Sequence, residues 1–394
     1  MKLAVLFDHF GPYHLARLRG ASAYAETLGV EFYGRSQDYA WEVADRKDVR
    51  LTTLVEGGKG ERLTTPQLGA ALDAVLTPFR PDVVAVPGWS GRGALAALQW
   101  CLHERVPAVL MSESSRHDER RQGWKEWIKR RLVALFPAAL VGGSSHAAYL
   151  EELGMPRERV FLGYDAIDND YFSQKTLKIQ AEATKEARSP HFLASARFIE
   201  KKNLFRLLRA YADYRNTARS QGCEVWRLEL LGDGELRAPL EALIKELQLT
   251  EAVTLLGFKQ YDELPGHYAR ASAFIHASTT EQWGLVVNEA MACGLPVLVS
   301  SRCGCAPDLV QEGVNGHAFD PCDLAAISSA MLRLTKLPED ELKRLGQASR
   351  EIIAQWGSSR FGDGLICAAR KALAQKPTEV SWVDTGLLSL LSRQ

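Results

Sequence analysis

Two carboxylates eight residues apart, Glu281 and Glu289, stand within the stretch FIHASTTEQWGLVVNEAMACGLPVLVS from Phe274 to Ser300. Glu289 sits among Leu285, Val286, Val287, Met291 and Ala292, where the small apolar neighbours point to close packing. A carboxylate in such a place is costly unless something hydrogen-bonds to it. Glu281 lies in the polar loop Thr279–Gln282, ahead of Trp283, Gly284 and Leu285, which open the helix pattern. The free N–H groups and positive dipole end of that helix suit a phosphate. Two hydroxyl-binding carboxylates flanking an anion site suit a nucleotide diphosphate sugar. The competing reading makes Glu281 a helix cap and Glu289 a core acid satisfied by a neighbour.

The elements that must position these groups follow from apolar periodicity. Ala273–Ser278 reads as a buried strand, Leu285–Cys293 as a helix stopped by Gly294, and Pro296–Ser300 as the next buried strand. Strand, helix and strand at this spacing make a parallel crossover unit, whose ligands lie at the C-terminal edge of the sheet. Lys2–Phe7, Val30–Gly34, Val49–Leu54, Asp82–Gly88, Pro107–Glu113, Ala138–Gly143 and Val160–Gly163 continue the pattern as strands of a first half. Tyr13–Leu28, Thr65–Pro78, Gly91–His103 and Ser145–Leu153 are the helices between them. In the second half the strands are His191–Arg197, Trp226–Gly232, Val253–Phe258, Ala273–Ser278, Pro296–Ser300 and Gly316–Asp320. This alternation predicts two doubly wound α/β halves. Residues 1–172 form the first, and the polar, weakly periodic 173–190 (SQKTLKIQAEATKEARSP) reads as a linker. Residues 191–360 form the second half, and 361–394 a C-terminal helical segment.

With 394 residues there is room for two domains, and a formal charge of zero gives no reason to expect nucleic acid as a partner. Seven scattered cysteines, with Cys303 and Cys305 separated by one residue and no second pair nearby, argue against zinc and for a reducing compartment. Leu3–Phe7 is too short for a signal peptide core, and no apolar run reaches the ~18 residues of a membrane span. A cytoplasmic location is expected.

Several segments of the second half, in this order and spacing, closely resemble the donor half of glycosyltransferase family 4, which has the two-Rossmann GT-B fold. They are ASARFIEKKNLFRLLRAY from Ala194, LLGDGELRAPL from Leu230, LLGFKQYDELPGHYARASAFIHAS from Leu255, EQWGLVVNEAMACGLPVLVS from Glu281 and CAPDLVQEGVNGHAFDP from Cys305. Glu281 and Glu289 match the E-x7-E pair of retaining members. The resemblance covers Val160 to Pro321 strongly and the first half in outline. It implies two Rossmann-like domains facing each other across a cleft.

By that resemblance, Arg197 and Lys202 neutralise the donor diphosphate, and their place at the end of a strand agrees. Glu289 is similar to the ribose-binding acid, and Glu281 to the residue that touches the transferred sugar. The backbone of Trp283, Gly284 and Leu285 surrounds sugar and phosphate. Gly232 belongs to a loop beside the nucleotide, and Gly257 and Phe258 lie near the base. Gly232-Asp233-Gly234 fails as a dinucleotide fingerprint because Arg237 stands where the third glycine belongs. The family's Pro-Ser pair is Ala277-Ser278 here.

In the first half, Gly11 resembles the glycine that approaches the donor phosphates. His14 either faces the acceptor or starts a helix structurally. Glu113 and His117 follow a strand at the ligand edge, where relatives carry a histidine that contacts the donor sugar, and both functional and structural readings stay open. Arg120–Phe136 (RRQGWKEWIKRRLVALF) is a basic amphipathic helix pattern with Trp124, Trp127, Ile128, Leu132 and Leu135 on one face. It suits either a core-packed helix with a solvated basic back or a peripheral contact with the inner face of a membrane.

The reading is a retaining glycosyltransferase using a UDP- or GDP-linked sugar and an unidentified glycan, lipid-linked or small-molecule acceptor, in glycan, polysaccharide or glycolipid synthesis. No cofactor and no metal are expected, since relatives work without one. The alternatives are a non-catalytic nucleotide-sugar-binding protein and a sugar-nucleotide epimerase or hydrolase on the same fold. The missing fingerprint glycine argues against a nicotinamide-dependent dehydrogenase.

Overall fold

The computed structural model describes residues 1–35, 46–58, 63–118, 121–182 and 189–393. The chain divides into two compact units, Met1–Ile167 together with the chain from Trp356, and Asp168–Gln355.

In the first unit, β1 (Lys2–Phe7), α1 (Pro12–Ser22), β2 (Glu26–Arg35), β3 (Leu51–Gly58), α2 (Thr65–Phe79), β4 (Val83–Pro87), α3 (Arg92–Glu104), β5 (Ala108–Ser112), α4 (Gly123–Val133), β6 (Ala138–Val141), α5 (Ser144–Glu152) and β7 (Val160–Leu162) follow in order. The sheet runs β3-β2-β1-β4-β5-β6-β7, with every pair parallel. Its central strands are continuous apolar runs because helices cover both faces. Helix α1 stops at Ser22, short of the Leu28 that periodicity suggests, because Glu26 already pairs with Lys2 in the sheet.

The second unit contains α6 (Asn169–Glu182), β8 (His191–Ser195), α7 (Leu204–Ser220), β9 (Arg227–Leu231), α8 (Arg237–Glu246), β10 (Val253–Gly257), α9 (Leu264–Arg270), β11 (Ala273–His276), α10 (Leu285–Ala292), β12 (Val297–Ser300), α11 (Ala306–Leu309), β13 (Gly316–Phe319), α12 (Leu324–Thr335) and α13 (Glu339–Ala354). Its parallel sheet runs β10-β9-β8-β11-β12-β13. Strand order reverses between β8 and β11. Their two loops therefore leave the C-terminal edge at the place where open parallel sheets hold ligands.

The domain bounds differ from the sequence expectation at two places. The first ten residues of the expected linker, Ser173–Glu182, belong to α6, which packs on α9 and α10. Only Phe172 and Thr176 of this helix are buried, a stripe too narrow to show in periodicity, and the Thr176 hydroxyl donates to the Cys293 sulfur at 3.1 Å. Residues 183–188 lie outside the described residues. At the other end, α14 (Ser358–Leu373) and α15 (Trp382–Leu391) return to the first unit instead of forming a segment of their own. Phe361, Leu365, Ala368, Ala369 and Ala372 of α14 are buried against α1 and the β4–β7 side of the first sheet.

The basic helix is also shorter than its pattern. It covers Gly123–Val133, and Arg120 lies outside the described residues. Leu132 and Leu135 are buried and Ile128 packs against the core, but Trp124 and Trp127 are exposed, so the apolar face divides. The core-packed reading holds only for the C-terminal half of that face. No helix among the described residues is long and apolar enough to cross a membrane.

Candidate active site

The β11 strand AFIH is fully buried and ends at His276, where the chain turns outward through Ala277–Gly284. The neighbouring β8 ends at Ser195 and releases the loop Ala196–Asn203. The two loops are bonded to each other. Lys201 O accepts from Thr279 N at 2.9 Å and from the Thr279 hydroxyl at 3.3 Å, and Asn203 Nδ2 donates to Ala277 O at 3.0 Å. This stitching places Lys202 against Glu281, two residues 79 positions apart in sequence, as a direct ion pair through Glu281 Oε2. Lys201 Nζ approaches the other oxygen at 3.8 Å.

His276 Nε2 lies 3.4 Å from Glu281 Oε2, and the Ser278 hydroxyl donates to the same oxygen at 3.2 Å while contacting His276 Nε2 at 3.1 Å. Burial works against ionising Glu281, but the His276 hydrogen bond and the Lys202 charge outweigh it and hold the carboxyl well below the usual range. His276 is buried, and desolvation, partly offset by Glu281, lowers its pKa, which keeps the ring neutral near pH 7. Lys201, His276 and Ser278 were not among the sequence candidates. The lysine doublet and the two polar residues at alternate positions ending an apolar strand were the signal.

Glu289 is 1% exposed, inside α10, and accepts from the Tyr268 hydroxyl at 2.6 Å. Burial, with the Glu289 charge second, pushes the Tyr268 phenol well up, so it remains the donor. This is the partner that a buried acid requires, and it belongs to α9, beyond reach of a local pattern. Trp283 is buried with its Nε1 donating to Asn288 Oδ1 at 2.9 Å, which anchors the turn into α10, and Gly284 has φ +106°.

Gly232 has φ +132°, and a Cβ there would lie 1.9 Å from Ala196 O. The β9 loop and the β8 loop are joined at this point, with Ala196 N donating to Leu231 O at 2.9 Å and Phe198 N to Asp233 O at 2.8 Å. Gly232→Ala is therefore expected to destabilise the protein by about 2 kcal/mol or more, measured by urea denaturation. Unchanged stability would remove the contact. Arg197 lies exposed on the joined loop, and Phe258, after Gly257, is exposed at the end of β10.

The remaining candidates belong to the first unit. Gly11 caps α1, and its N–H donates to His14 Nδ1 at 3.3 Å. Burial first, then Arg17 and His9, lowers the His14 pKa well below its ordinary value, which keeps the ring a neutral acceptor for Gly11 N–H. The loop before Gly11 is clamped by Glu31, a buried acid that periodicity did not single out. Glu31 Oε2 accepts from Phe10 N at 2.9 Å, and Arg46 joins Glu31 Oε1 at 2.5 Å and Phe10 O at 3.2 Å. Burial opposes ionisation of Glu31, but hydrogen bonds from His9, Phe10, Thr53 and Arg46 prevail and lower its pKa to about 2. Glu113, half-buried after β5, hydrogen-bonds Asp165, whose carboxyl is raised well above its usual range by burial first and Glu113 second. His117 is exposed on the turn that Ser115 and Asp118 close. No three His, Cys, Asp or Glu side chains among the described residues are placed to hold a metal.

Two lysines on a carboxylate at a sheet switch point, beside a helix N-terminus, are groups that can neutralise negative charge on a polar ligand. The family model described as "Glycosyl transferases group 1" matches residues 176–352, the span that carries these groups. The chain is 30% identical over 289 residues to the amylovoran biosynthesis glycosyltransferase AmsK of Erwinia amylovora, covering 71% of this chain and 67% of that protein. The chain belongs to the glycosyl transferases group 1. This glycosyltransferase is also 28% identical over 296 residues to the putative colanic acid biosynthesis glycosyltransferase WcaL of Escherichia coli K12, covering 72% of this chain and 69% of that one. Among solved structures, Anabaena Alr3699/HepE in complex with UDP and glucose has a TM-score of 0.71 at 18% identity, over 93% of this chain and 98% of that one. The glycosyltransferase thus has the α/β GT-B fold, with one doubly wound parallel sheet in each unit.

Proposed function

We propose that this glycosyltransferase is a retaining member of family 4 that moves a sugar from a nucleotide diphosphate to an acceptor hydroxyl in polysaccharide synthesis. The observation that carries the proposal is the Lys202–Glu281 ion pair at the β8/β11 switch point, with Lys201, His276 and Ser278 around it. Lys202 and Arg197 neutralise the departing diphosphate, Glu281 orients the transferred sugar, and Glu289 holds the ribose. Gly232, Gly257, Phe258 and the turn Trp283–Leu285 complete the nucleotide side. Gly11 approaches the donor phosphates, and the first unit takes the acceptor, with Glu113 on the acceptor or sugar side. In the same-face route the diphosphate that leaves also accepts the acceptor proton, so the protein supplies position and charge.

UDP is the favoured nucleotide, supported by the UDP complex of the structurally similar HepE. Polysaccharide synthesis is supported by the relatives named for amylovoran biosynthesis and, putatively, colanic acid biosynthesis. Calorimetric titration with UDP, GDP and ADP tests the donor. UDP is expected to bind, and Glu289→Gln to weaken it about tenfold while retaining a hydrogen bond to Tyr268. Binding by none of the three removes the donor reading, and wild-type affinity in the variant removes the ribose role of Glu289. Glu289→Ala is less informative, because stranding the Tyr268 hydroxyl costs about 1–3 kcal/mol of fold stability by itself.

A further inference from the structure

Helices α4 and α15 pack on each other on the surface of the first unit. The Arg131 guanidinium fixes the junction, with Nε on Asp384 Oδ1 at 2.8 Å and Nη2 on the Ser381 hydroxyl at 2.7 Å. Trp124, Trp127 and Arg131 follow one another at helical spacings of three and four, so one stripe of α4 runs from the two tryptophans to this junction. Trp382 adjoins Ser381 at the start of α15. Trp124 is 63% exposed, Trp127 51% and Trp382 86%, and Leu390 is exposed further along α15. Single exposed apolar residues need no explanation, but three tryptophans around one junction do.

Their mount is built. The Ser381 and Asp384 side chains cap α15 reciprocally, Leu387 and Leu388 are buried in the first-unit core, and the Thr378 hydroxyl donates to Leu135 O at 3.3 Å. Trp382 is thus presented by a packed helix and a hydrogen-bonded approach to it. The charge along these elements is net positive. Lys125, Lys129, Arg130, Arg131, Lys376 and Arg393 outnumber Glu126, Glu379 and Asp384 along α4 and the chain 376–393. Lys129 pairs with Glu126 and Arg131 with Asp384, which leaves Lys125, Arg130, Lys376 and Arg393 against Glu379, and Lys125 Nζ stands 5.7 Å from the Trp124 ring centre. Protein interfaces are depleted in lysine at their centres. Tryptophan bodies flanked by lysine and arginine match the headgroup layer of an anionic bilayer, where the rings reach the acyl boundary and the cations meet phosphate.

We propose that the α4–α15 face docks this glycosyltransferase onto an anionic lipid surface, with Trp124, Trp127 and Trp382 as the inserted side chains. The docking is independent of the donor reading, because every residue assigned to the nucleotide's recognition lies outside α4 and α15.

The test is co-sedimentation of the full chain at low salt with vesicles of phosphatidylglycerol and phosphatidylcholine, and with phosphatidylcholine alone. Binding to the anionic vesicles is expected, weakened by added salt and quenched in tryptophan fluorescence by brominated acyl chains. Replacing Trp124, Trp127 and Trp382 together by serine should lower the partition coefficient about tenfold or more, with UDP affinity and circular dichroism unchanged. If the triple variant misfolds, Trp382→Ser alone and Arg130→Glu carry the comparison. Failure to bind anionic vesicles, or equal binding by folded variants, overturns the proposal. Tryptophan-dependent self-association in light scattering without vesicle binding overturns it in favour of a second copy of the chain.

Discussion

Lys202→Ala lowers kcat about 10²- to 10³-fold, some 3–4 kcal/mol of transition-state stabilisation, with a smaller change in KM for the donor. The imbalance follows from the ion pair. Lys202 is already matched by the ionised Glu281, so an incoming diphosphate replaces one anionic neighbour with another and gains little in the ground state. As the bond to the sugar breaks, further negative charge collects on the departing phosphate, and a cation fixed by the β8 loop then gains more than it did at binding. The fold should survive the change. Glu281 retains the Ser278 and His276 contacts and the approach of Lys201 at 3.8 Å, and the loop is held by backbone bonds that do not involve the Lys202 side chain. Steady-state kinetics against donor concentration reads the result directly. A raised KM at unchanged kcat would move Lys202 to ground-state binding.

The parts of this site that were legible in the sequence are those that one crossover unit contains. Strand, loop, helix and strand from Ala273 to Ser300 carry Glu281, Trp283, Gly284, Leu285 and Glu289 on one crossover unit, so their order along it follows from spacing alone. Arg197 and Lys202 sit on a different loop, and only the order of motifs along the chain linked them to it. The structure supplies the physical link, which is the hydrogen bonding between Lys201, Thr279, Asn203 and Ala277.

What stayed hidden depends on contacts distant in sequence or on shared appearance. Tyr268, which satisfies Glu289, comes from a neighbouring helix and reads in sequence as one more core aromatic. Glu31 gathers His9, Phe10, Arg46 and Thr53 from three separate segments, none of them at a helical or strand spacing from it. The amphipathic stripe of α14 shows that the helix must be covered, but either unit's sheet has apolar surface to offer, so periodicity could not choose the first. The α4 pattern misled in a similar way. Trp124 and Leu132 share a face, and only the packing shows that the core stops between them.

Glu281→Gln is expected to move two measurements in opposite directions. Glutamine keeps the shape and can still accept from Ser278, but the charge that now neutralises Lys202 is gone. The freed cation should tighten binding of the bare nucleoside diphosphate about three- to tenfold, while kcat falls about 10²-fold because the sugar loses its charged partner. A fall in both would mean that Glu281 builds the site without competing for Lys202. The pH dependence separates these further. Glu281 has a folded-state pKa depressed below its ordinary 4.5, so its stabilising contribution is complete above that value and is lost as pH falls towards the folded pKa. The Tm difference between wild type and Glu281→Gln should accordingly stay level from about pH 9 to about pH 5 and shrink only on further acidification. A difference that widened on acidification would contradict an ionised Glu281 in the folded protein, and with it the ion pair that organises the site.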